Sequence, residues 1–193
     1  MSNSHARMQL KNVTLITGGA RSGKSQLAES LALEAGLPVV YVATMQEVAS
    51  DGESVTRIAQ HKRRRPKEWK TLEVPFALYG PLRDLEKGPR VCVVDCLSLY
   101  VSNILLTRGL DDGFEELHQI IVEDCGRIIE SMGARKDVTF FLVTNEVGWG
   151  VVPENALARA YRDLLGWTNQ LFAAHAAEVY LMCAGIPMKV KGE

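Results

Sequence analysis

Short apolar runs alternate along the chain with segments long enough to form helices. The runs span residues 13–17, 39–43, 91–95, 138–143 and 178–183, and most are rich in β-branched side chains. A strand that is apolar on both faces must be covered on both faces, as happens when helices flank a parallel sheet. The pattern therefore predicts an α/β fold with three layers and a mostly parallel sheet.

The intervening segments carry the helical signal. Apolar side chains recur at helical spacing over residues 25–35, and longer amphipathic patterns cover residues 115–132 and 154–177. The Gly-Ile-Pro sequence at residues 185–187 predicts a turn into a short C-terminal hairpin that ends near Val190.

Length and composition narrow the class of protein. The chain has 193 residues, of which 47% are hydrophobic, and this suits one domain over residues 1–193, with residues 1–12 as a flexible leader. Its 22 basic and 23 acidic side chains nearly cancel, so no global field favours nucleic acid. No run approaches the roughly 18 apolar residues of a membrane span, so we expect a cytoplasmic protein.

The cysteines indicate neither a metal site nor a disulfide framework. Cys92, Cys96, Cys125 and Cys183 contain no C-x-x-C pair, and no histidine stands at finger-like spacing. We expect all four to be reduced core residues.

A glycine-rich loop follows the first apolar run and precedes the first helix. It matches G-x-x-x-x-G-K-[ST] and consists of Gly18, Gly19, Ala20, Arg21, Ser22, Gly23, Lys24 and Ser25. In that context backbone N–H groups form a concavity for phosphates, Lys24 places a cation on the β- and γ-phosphates, and Ser25 offers its hydroxyl to Mg²⁺. The motif predicts a RecA-like P-loop NTPase fold that binds a nucleoside triphosphate; the alternative is a glycine-rich turn that binds nothing.

Asp95 closes an apolar run at the carboxyl end of a predicted strand, where ligands bind in open α/β sheets. A P-loop needs a second group to organise Mg²⁺, so Asp95 is predicted to be a metal ligand together with Ser25. The alternative is that Asp95 caps the following helix.

Positive charge is concentrated in residues 57–70, RIAQHKRRRPKEWK, although the chain as a whole is nearly neutral. Within this segment His61 precedes four cations, which are Lys62, Arg63, Arg64 and Arg65. Neighbouring cations disfavour protonation of an imidazole, so His61 would remain a nucleophile toward phosphorus, and the cations would stabilise a transferring phosphate. A solvated histidine on an exposed basic helix is the alternative.

Several ordered segments of the chain carry a resemblance to a known family. They read GGARSGKS, VATMQ, RIAQHKRRRPKEWKTLE, DCLSLYVSN, VTNEVGWGVVPEN and LARAYRDLLGWTNQ. Together they resemble the bifunctional adenosylcobinamide kinase/adenosylcobinamide-phosphate guanylyltransferase family of cobalamin biosynthesis, over nearly all of residues 13–191. The resemblance implies that ATP or GTP phosphorylates the aminopropanol hydroxyl of adenosylcobinamide, a corrinoid, and that GMP from GTP is then transferred through a covalent histidine. It also implies a homotrimer.

The resemblance also assigns residues to this chemistry. His61 would be the nucleophile, and because the chain has Gln60 where the family often has a second histidine, the assignment falls on His61 alone. Lys24 would share the catalytic role. Beyond the P-loop, nucleotide contacts would fall on Ala43, Thr44, Met45, Lys62, Arg63, Arg64, Arg65, Glu73 and Asp95.

Further polar residues are expected near the same sheet edge. Asn145 and Glu146 follow an apolar strand, and we hypothesise that one of them senses the γ-phosphate or orients the acceptor hydroxyl, the alternative being a helix-capping turn. Arg159 and Arg162 share a helical face that would bind phosphate or remain solvated.

Two other functions compete with this interpretation. A plain small-molecule kinase would move only the γ-phosphoryl group, and His61 would be incidental. A nucleotide-dependent switch or motor would need a partner-binding extension or a basic nucleic-acid surface, which the neutral chain does not offer.

Overall fold

The computed structural model describes residues 9–45, 65–111 and 113–193, and its strands form one seven-stranded sheet. The strands are β1 (Leu10–Gly18), β2 (Val39–Ala43), β3 (Lys70–Glu73), β4 (Arg90–Asp95), β5 (Val138–Val143), β6 (Ala176–Cys183) and β7 (Ile186–Lys191). Their order is β3-β2-β4-β5-β1-β6-β7, and every neighbouring pair is parallel except β6 and β7. The predicted mostly parallel sheet and its C-terminal hairpin are confirmed.

Helices cover both faces of this sheet. They are α1 (Lys24–Glu34), α2 (Tyr79–Arg83), α3 (Leu97–Arg108), α4 (Phe114–Ala134) and α5 (Ala156–His175). Ala28 and Ala32 of α1 belong to one buried cluster, and apolar side chains of the other four helices belong to a second cluster. The fold therefore has the three layers that the apolar runs predicted, because each sheet face needs its own helical cover.

Several element bounds differ from the predicted ones. Strand β1 begins at Leu10, which is fully buried, so residues 10–12 belong to the sheet and the prediction of a leader reaching residue 12 is wrong for them. Helix α5 ends at His175, and β6 follows at once, whereas the helix was predicted to continue to residue 177. Helix α3 was not predicted, because its buried side chains cover most of its circumference and blur the helical period.

The four cysteines are free, but they do not share one environment. Cys92, Cys96 and Cys125 are buried as expected, whereas Cys183 is exposed at the end of β6. The expectation of a core position is therefore wrong for Cys183, since the strand leaves the core before its last residue. Burial raises the pKa of each of the three buried thiols to about 12, which keeps them protonated.

Arg135 ties the loop before β4 to the loop before β5. Its guanidinium donates to the carbonyls of Arg83, Leu85 and Glu86 at 3.2, 2.6 and 2.7 Å, and it forms two hydrogen bonds with the carboxylate of Asp137. The same carboxylate accepts from the backbone N–H of Gly88. One buried cation thus satisfies three carbonyls in the segment before β4 and links that segment to the start of β5.

In the described part of the chain, no helix combines the length and the apolar character needed to cross a membrane.

Candidate active site

The P-loop leaves the central strand β1 and enters α1, so it lies at the carboxyl edge of the sheet. Gly18 and Gly23 have φ of +144° and +98°, values that residues with a side chain rarely adopt. A Cβ on Gly18 would stand 2.5 Å from the carbonyl oxygen of Met182. The glycines of the motif therefore serve two needs, a backbone turn and a close approach to β6.

Lys24 begins α1 and is folded back over the loop. Its side chain is buried, and its Nζ donates to the carbonyl of Gly19 at 2.5 Å and to the hydroxyl of Ser22 at 3.4 Å. Burial lowers the pKa of Lys24, while Cys96 and the nearby carboxylate of Asp95 act in the opposite direction. The ammonium is held in the concavity, where a phosphate would replace its bonds to the loop.

The carboxyl ends of four strands are aligned in one row. Glu73 of β3 pairs with Ala43 of β2, Ala43 pairs with Asp95 of β4, and Asp95 pairs with Val143 of β5. Asp95 therefore lies at the sheet edge that carries the P-loop, as its position after an apolar run predicted. Glu73 lies on an edge strand at the end of this row and is exposed.

Asp95 does not cap the following helix, since the N-cap of α3 is Cys96. Its carboxylate accepts a short hydrogen bond from the hydroxyl of Tyr41. Tyr41 is fully buried, and burial raises the pKa of its phenol, with the charge of Asp95 adding to the shift. The phenol therefore stays protonated and donates, which fixes one oxygen of Asp95.

The oxygen donors present fit a Mg²⁺ ion that shares its coordination with a nucleotide. Ser25 lies in the first turn of α1, directly after the P-loop, and Asp95 ends β4, which is separated from β1 by β5. A hydroxyl and a carboxylate are therefore both found at the carboxyl edge of the sheet. Within residues 9–45, 65–111 and 113–193, no group of three or more His, Cys, Asp or Glu side chains could hold a metal by itself. Mg²⁺ commonly takes one or two protein oxygens together with substrate phosphates, so this sparse donor set suits it.

Thr44 joins the end of β2 to the end of β4. Its hydroxyl donates to the carbonyl of Cys96 at 2.7 Å and accepts from the N–H of Cys96 at 2.8 Å. Asn103 of α3 donates to the carbonyls of Thr44 and Pro75 at 2.7 and 3.1 Å. The side chain of Thr44 is fully buried, so in this structure it fixes the backbone beside Asp95.

Arg65 is the one residue of the predicted cationic run that lies within the described residues; His61, Lys62, Arg63 and Arg64 lie outside them. The guanidinium carbon of Arg65 stands 3.4 Å from the ring centroid of Tyr41. Arg65, at the end of the basic segment, therefore lies beside β2, whose Tyr41 is bonded to Asp95. Ala43 and Met45 border Thr44 and are partly exposed at the same edge.

The strand-end residues after β5 contact the P-loop through the backbone. The N–H of Glu146 donates to the carbonyl of Gly18 at 3.0 Å, and the carboxylate of Glu146 accepts from the N–H of Gly148 at 2.6 Å. Asn169 of α5 donates to the carbonyl of Asn145 at 2.9 Å. Glu146 therefore stands beside the first glycine of the motif, while the N-cap of α5 is Asn155.

Arg159 and Arg162 both donate to backbone carbonyls of the preceding loop, and Arg159 remains exposed to solvent. Arg159 donates to the carbonyls of Pro153 and Glu154 at 3.0 and 2.5 Å, and Arg162 donates to the carbonyl of Gly150 at 3.5 Å. These bonds brace the loop between β5 and α5. A phosphate site at these two arginines stays a prediction.

Sequence reasoning missed Tyr41 and Asn103. Tyr41 was hidden because it lies inside an apolar run and counts there as one more strand residue. Asn103 lies in the helix that was not predicted. A polar atom within a fully apolar run was the available signal, since a buried phenol or amide needs a partner.

Comparison with known proteins decides the family. The sequence model of the family described as "Cobinamide kinase / cobinamide phosphate guanyltransferase" matches residues 14–190. The chain belongs to this family. The resemblance drawn from the sequence segments is thereby confirmed, and the P-loop and Asp95 lie within the matched range.

Two curated relatives match this chain over nearly their whole length. "Bifunctional adenosylcobalamin biosynthesis protein CobP" of Pseudomonas aeruginosa PAO1 is 47% identical over 182 residues, which is 93% of this chain and 97% of the relative. "Bifunctional adenosylcobalamin biosynthesis protein CobU" of Escherichia coli K12 is 40% identical over 182 residues, with 92% and 98% covered. Their names describe two activities on one chain.

A solved structure of more distant sequence has the same fold. It is a protein from Pyrococcus horikoshii OT3, with a TM-score of 0.55 and 11% identity over 97% of this chain and 89% of the other. At that identity the likeness supports the predicted fold class and nothing about activity.

Proposed function

We propose that this protein phosphorylates adenosylcobinamide with ATP or GTP and then transfers GMP from GTP to the product, giving adenosylcobinamide-GDP. The observation that carries the proposal is the P-loop with its buried Lys24 at the sheet edge where Asp95 ends β4, in a chain of the cobinamide kinase/guanyltransferase family. Both reactions need a bound triphosphate, and this sheet edge has the groups that bind one.

The P-loop would bind the triphosphate in both reactions. Its backbone N–H groups and the amino end of α1 attract phosphate oxygens, and Lys24 adds the cation. Mg²⁺, held by Ser25 and Asp95 together with the nucleotide, would supply charge neutralisation at the phosphates. The residues Ala43, Met45 and Glu73 at the ends of β2 and β3 are proposed to contact the rest of the nucleotide.

In the kinase step, an acceptor hydroxyl of the corrinoid attacks the γ-phosphorus and the bond to the β-phosphate oxygen breaks. Glu146 is proposed to orient this hydroxyl or to accept its proton, because its backbone is bonded to Gly18 at the mouth of the P-loop. A carboxylate on a residue whose backbone is bonded to the P-loop suits the role of a positioned base.

In the transfer step, a ring nitrogen of His61 attacks the α-phosphorus of GTP and pyrophosphate leaves. A phosphate oxygen of adenosylcobinamide phosphate then attacks the same phosphorus, the N–P bond breaks, and His61 is regenerated. Lys62, Arg63, Arg64 and Arg65 are proposed to stabilise charge on the transferring group. This segment must approach the P-loop, and the contact of Arg65 with Tyr41, whose hydroxyl is bonded to Asp95, supports such an approach.

Product analysis tests the proposal and separates it from a plain kinase. The protein is incubated with adenosylcobinamide and ATP, then with GTP, and corrinoids are identified by liquid chromatography and mass spectrometry. The proposal predicts a phosphorylated corrinoid first and its GDP derivative after GTP is added, with both lost in Lys24→Met. A phosphorylated corrinoid that is never converted would leave only the kinase, and no phosphorylated corrinoid at all would refute both.

We also propose that the protein works in the cytoplasm as a single-domain subunit of a homotrimer. Light scattering of the purified chain tests the assembly, and a monomer mass at the concentrations of the activity assays would contradict it.

A further inference from the structure

Tyr41 touches two parts of the site that are far apart in sequence. Its hydroxyl donates to Asp95, and its ring lies under the guanidinium of Arg65, at 3.4 Å from the ring centroid. Trp69 also stacks on this ring, with centroids 6.4 Å apart and planes inclined by 26°. A single buried side chain therefore contacts the proposed metal ligand and the end of the segment that carries His61.

The sheet register explains why the phenol reaches Asp95. Tyr41 pairs with Val93 on the neighbouring strand, and Asp95 lies two residues further along β4. Side chains two residues apart on a strand share a face, and a long aromatic side chain reaches such a diagonal neighbour. The hydroxyl therefore lies at the carboxyl edge of the sheet, which also carries Asp95 and the P-loop.

The position of the Arg65 guanidinium also depends on Tyr41. Nε and Nη1 of Arg65 are buried, and neither has a hydrogen-bond partner within the residues that the structure describes. The ring of Tyr41 therefore supplies the contact that holds the guanidinium, as a cation–π pair. Arg65 follows His61 by four residues, and the turn from Pro66 to Trp69 closes through a backbone bond of 3.2 Å.

We propose that Tyr41 is a positioning residue that holds both the Mg²⁺-binding carboxylate and Arg65, which follows the histidine in sequence. The hydroxyl orients Asp95 so that its other oxygen faces the metal, and the ring seats Arg65 and Trp69. The inference rests on the proposed function in taking Asp95 as a metal ligand and His61 as the nucleophile.

The two parts of Tyr41 are separable by substitution. Tyr41→Phe keeps the ring and removes the donor, so only the orientation of Asp95 changes. Tyr41→Leu removes both and also releases Arg65 and Trp69. Tyr161→Phe is the matched control, because its phenol donates to the carbonyl of Ser98 at 3.3 Å and not to Asp95.

The experiment measures the affinity of a fluorescent GTP analogue in the absence of Mg²⁺ and across a Mg²⁺ titration, using the full chain. In Tyr41→Phe we expect unchanged affinity without Mg²⁺ and a Mg²⁺ midpoint raised about tenfold, as for loss of a hydrogen bond to a charged group. Tyr161→Phe should match the unaltered protein. Hydrogen exchange of residues 65–73 should be faster in Tyr41→Leu and unchanged in Tyr41→Phe.

Asp95→Asn and the double variant distinguish the possible failures. If Asp95→Asn loses the Mg²⁺ response and Tyr41→Phe keeps it in full, the positioning role of Tyr41 is refuted while the metal site stands. If Asp95→Asn also keeps the response, the metal role in the proposed function fails. The proposal further requires that Tyr41→Phe add no loss to Asp95→Asn, since the hydroxyl acts only through that carboxylate.

Discussion

The backbone N–H of Gly185 donates a hydrogen bond of 3.0 Å to the carbonyl of Ser22. The turn of the C-terminal hairpin thereby supports the middle of the P-loop. Gly18 packs against the carbonyl of Met182 on β6, so the loop rests on β6 and on the turn that follows it. The conformation of the phosphate site therefore depends on the last strands as well as on its own glycines.

Gly18→Ala is predicted to disrupt this packing. The new Cβ would meet a backbone oxygen at 2.5 Å and would impose a strained φ, so we expect a loss of about 2 to 3 kcal/mol in the free energy of unfolding and loss of nucleotide binding. Gly19→Ala is the control, since no described atom lies within 4 Å of its added Cβ. Urea unfolding of both variants checks the prediction; equal stabilities would contradict it.

Thr44→Val is predicted to destabilise the junction between β2 and β4. Valine has the same shape, but it leaves the buried N–H and carbonyl of Cys96 without their partner, at a cost of about 2 to 4 kcal/mol. Thr44→Ser retains the hydroxyl and should lose much less. Urea unfolding compares the two, and a Thr44→Val variant as stable as Thr44→Ser would show that the hydroxyl contributes little.

The sequence was sufficient for the buried strands of the sheet, the P-loop and the position of Asp95, because buried parallel strands and a phosphate loop have strong local patterns. The edge strand β3 was not predicted, because most of its residues are exposed and it has no apolar run. It did not reveal how the ends of these strands are joined. The bonds from Thr44 to Cys96, from Asn103 to Thr44 and from Tyr41 to Asp95 link residues more than 50 positions apart. Such pairings depend on strand order and register, which periodicity does not encode.

The contacts of Arg159 and Arg162 on the surface could not be predicted from the sequence either. Its spacing from Arg162 fits a phosphate site or a solvated face equally well, and only the path of the preceding loop shows that both arginines donate to backbone carbonyls. The first residues of β1 were missed for a different reason. Lys11 and Asn12 interrupt the apolar pattern, although Leu10 before them is fully buried.

Glu146→Gln is predicted to lower kinase turnover at least tenfold and to leave nucleotide affinity unchanged. The amide oxygen still accepts from the N–H of Gly148, so the loop is retained, while the base is lost. Steady-state kinetics measures the turnover, and nucleotide titration measures the affinity. Unchanged turnover would remove Glu146 from the mechanism.

Acid should weaken the contact between the loops before β4 and β5, which Arg135 and Asp137 hold together. Hydrogen bonding to Arg135 holds the pKa of Asp137 well below its usual value, so the pair contributes stability above the unfolded pKa of about 4 and loses it as the pH falls through the native pKa. Asp137→Asn should therefore have a lower free energy of unfolding than the unaltered protein at pH 7. The difference between the two proteins should become smaller below pH about 4. Urea unfolding midpoints at pH 7 and below pH about 4 measure this difference. Asp163→Asn is the control for the loss of one charge. A difference that is the same at both pH values would contradict the ion pair.

Intact-protein mass spectrometry after incubation with GTP and Mg²⁺ tests the central claim most directly. The unaltered chain and His118→Ala, which loses a histidine on α4, should carry an acid-labile GMP adduct that is absent from His61→Ala. An adduct that persists in His61→Ala would place the nucleophile elsewhere. No adduct on the unaltered chain, under conditions where GTP binds, would contradict transfer through a covalent histidine.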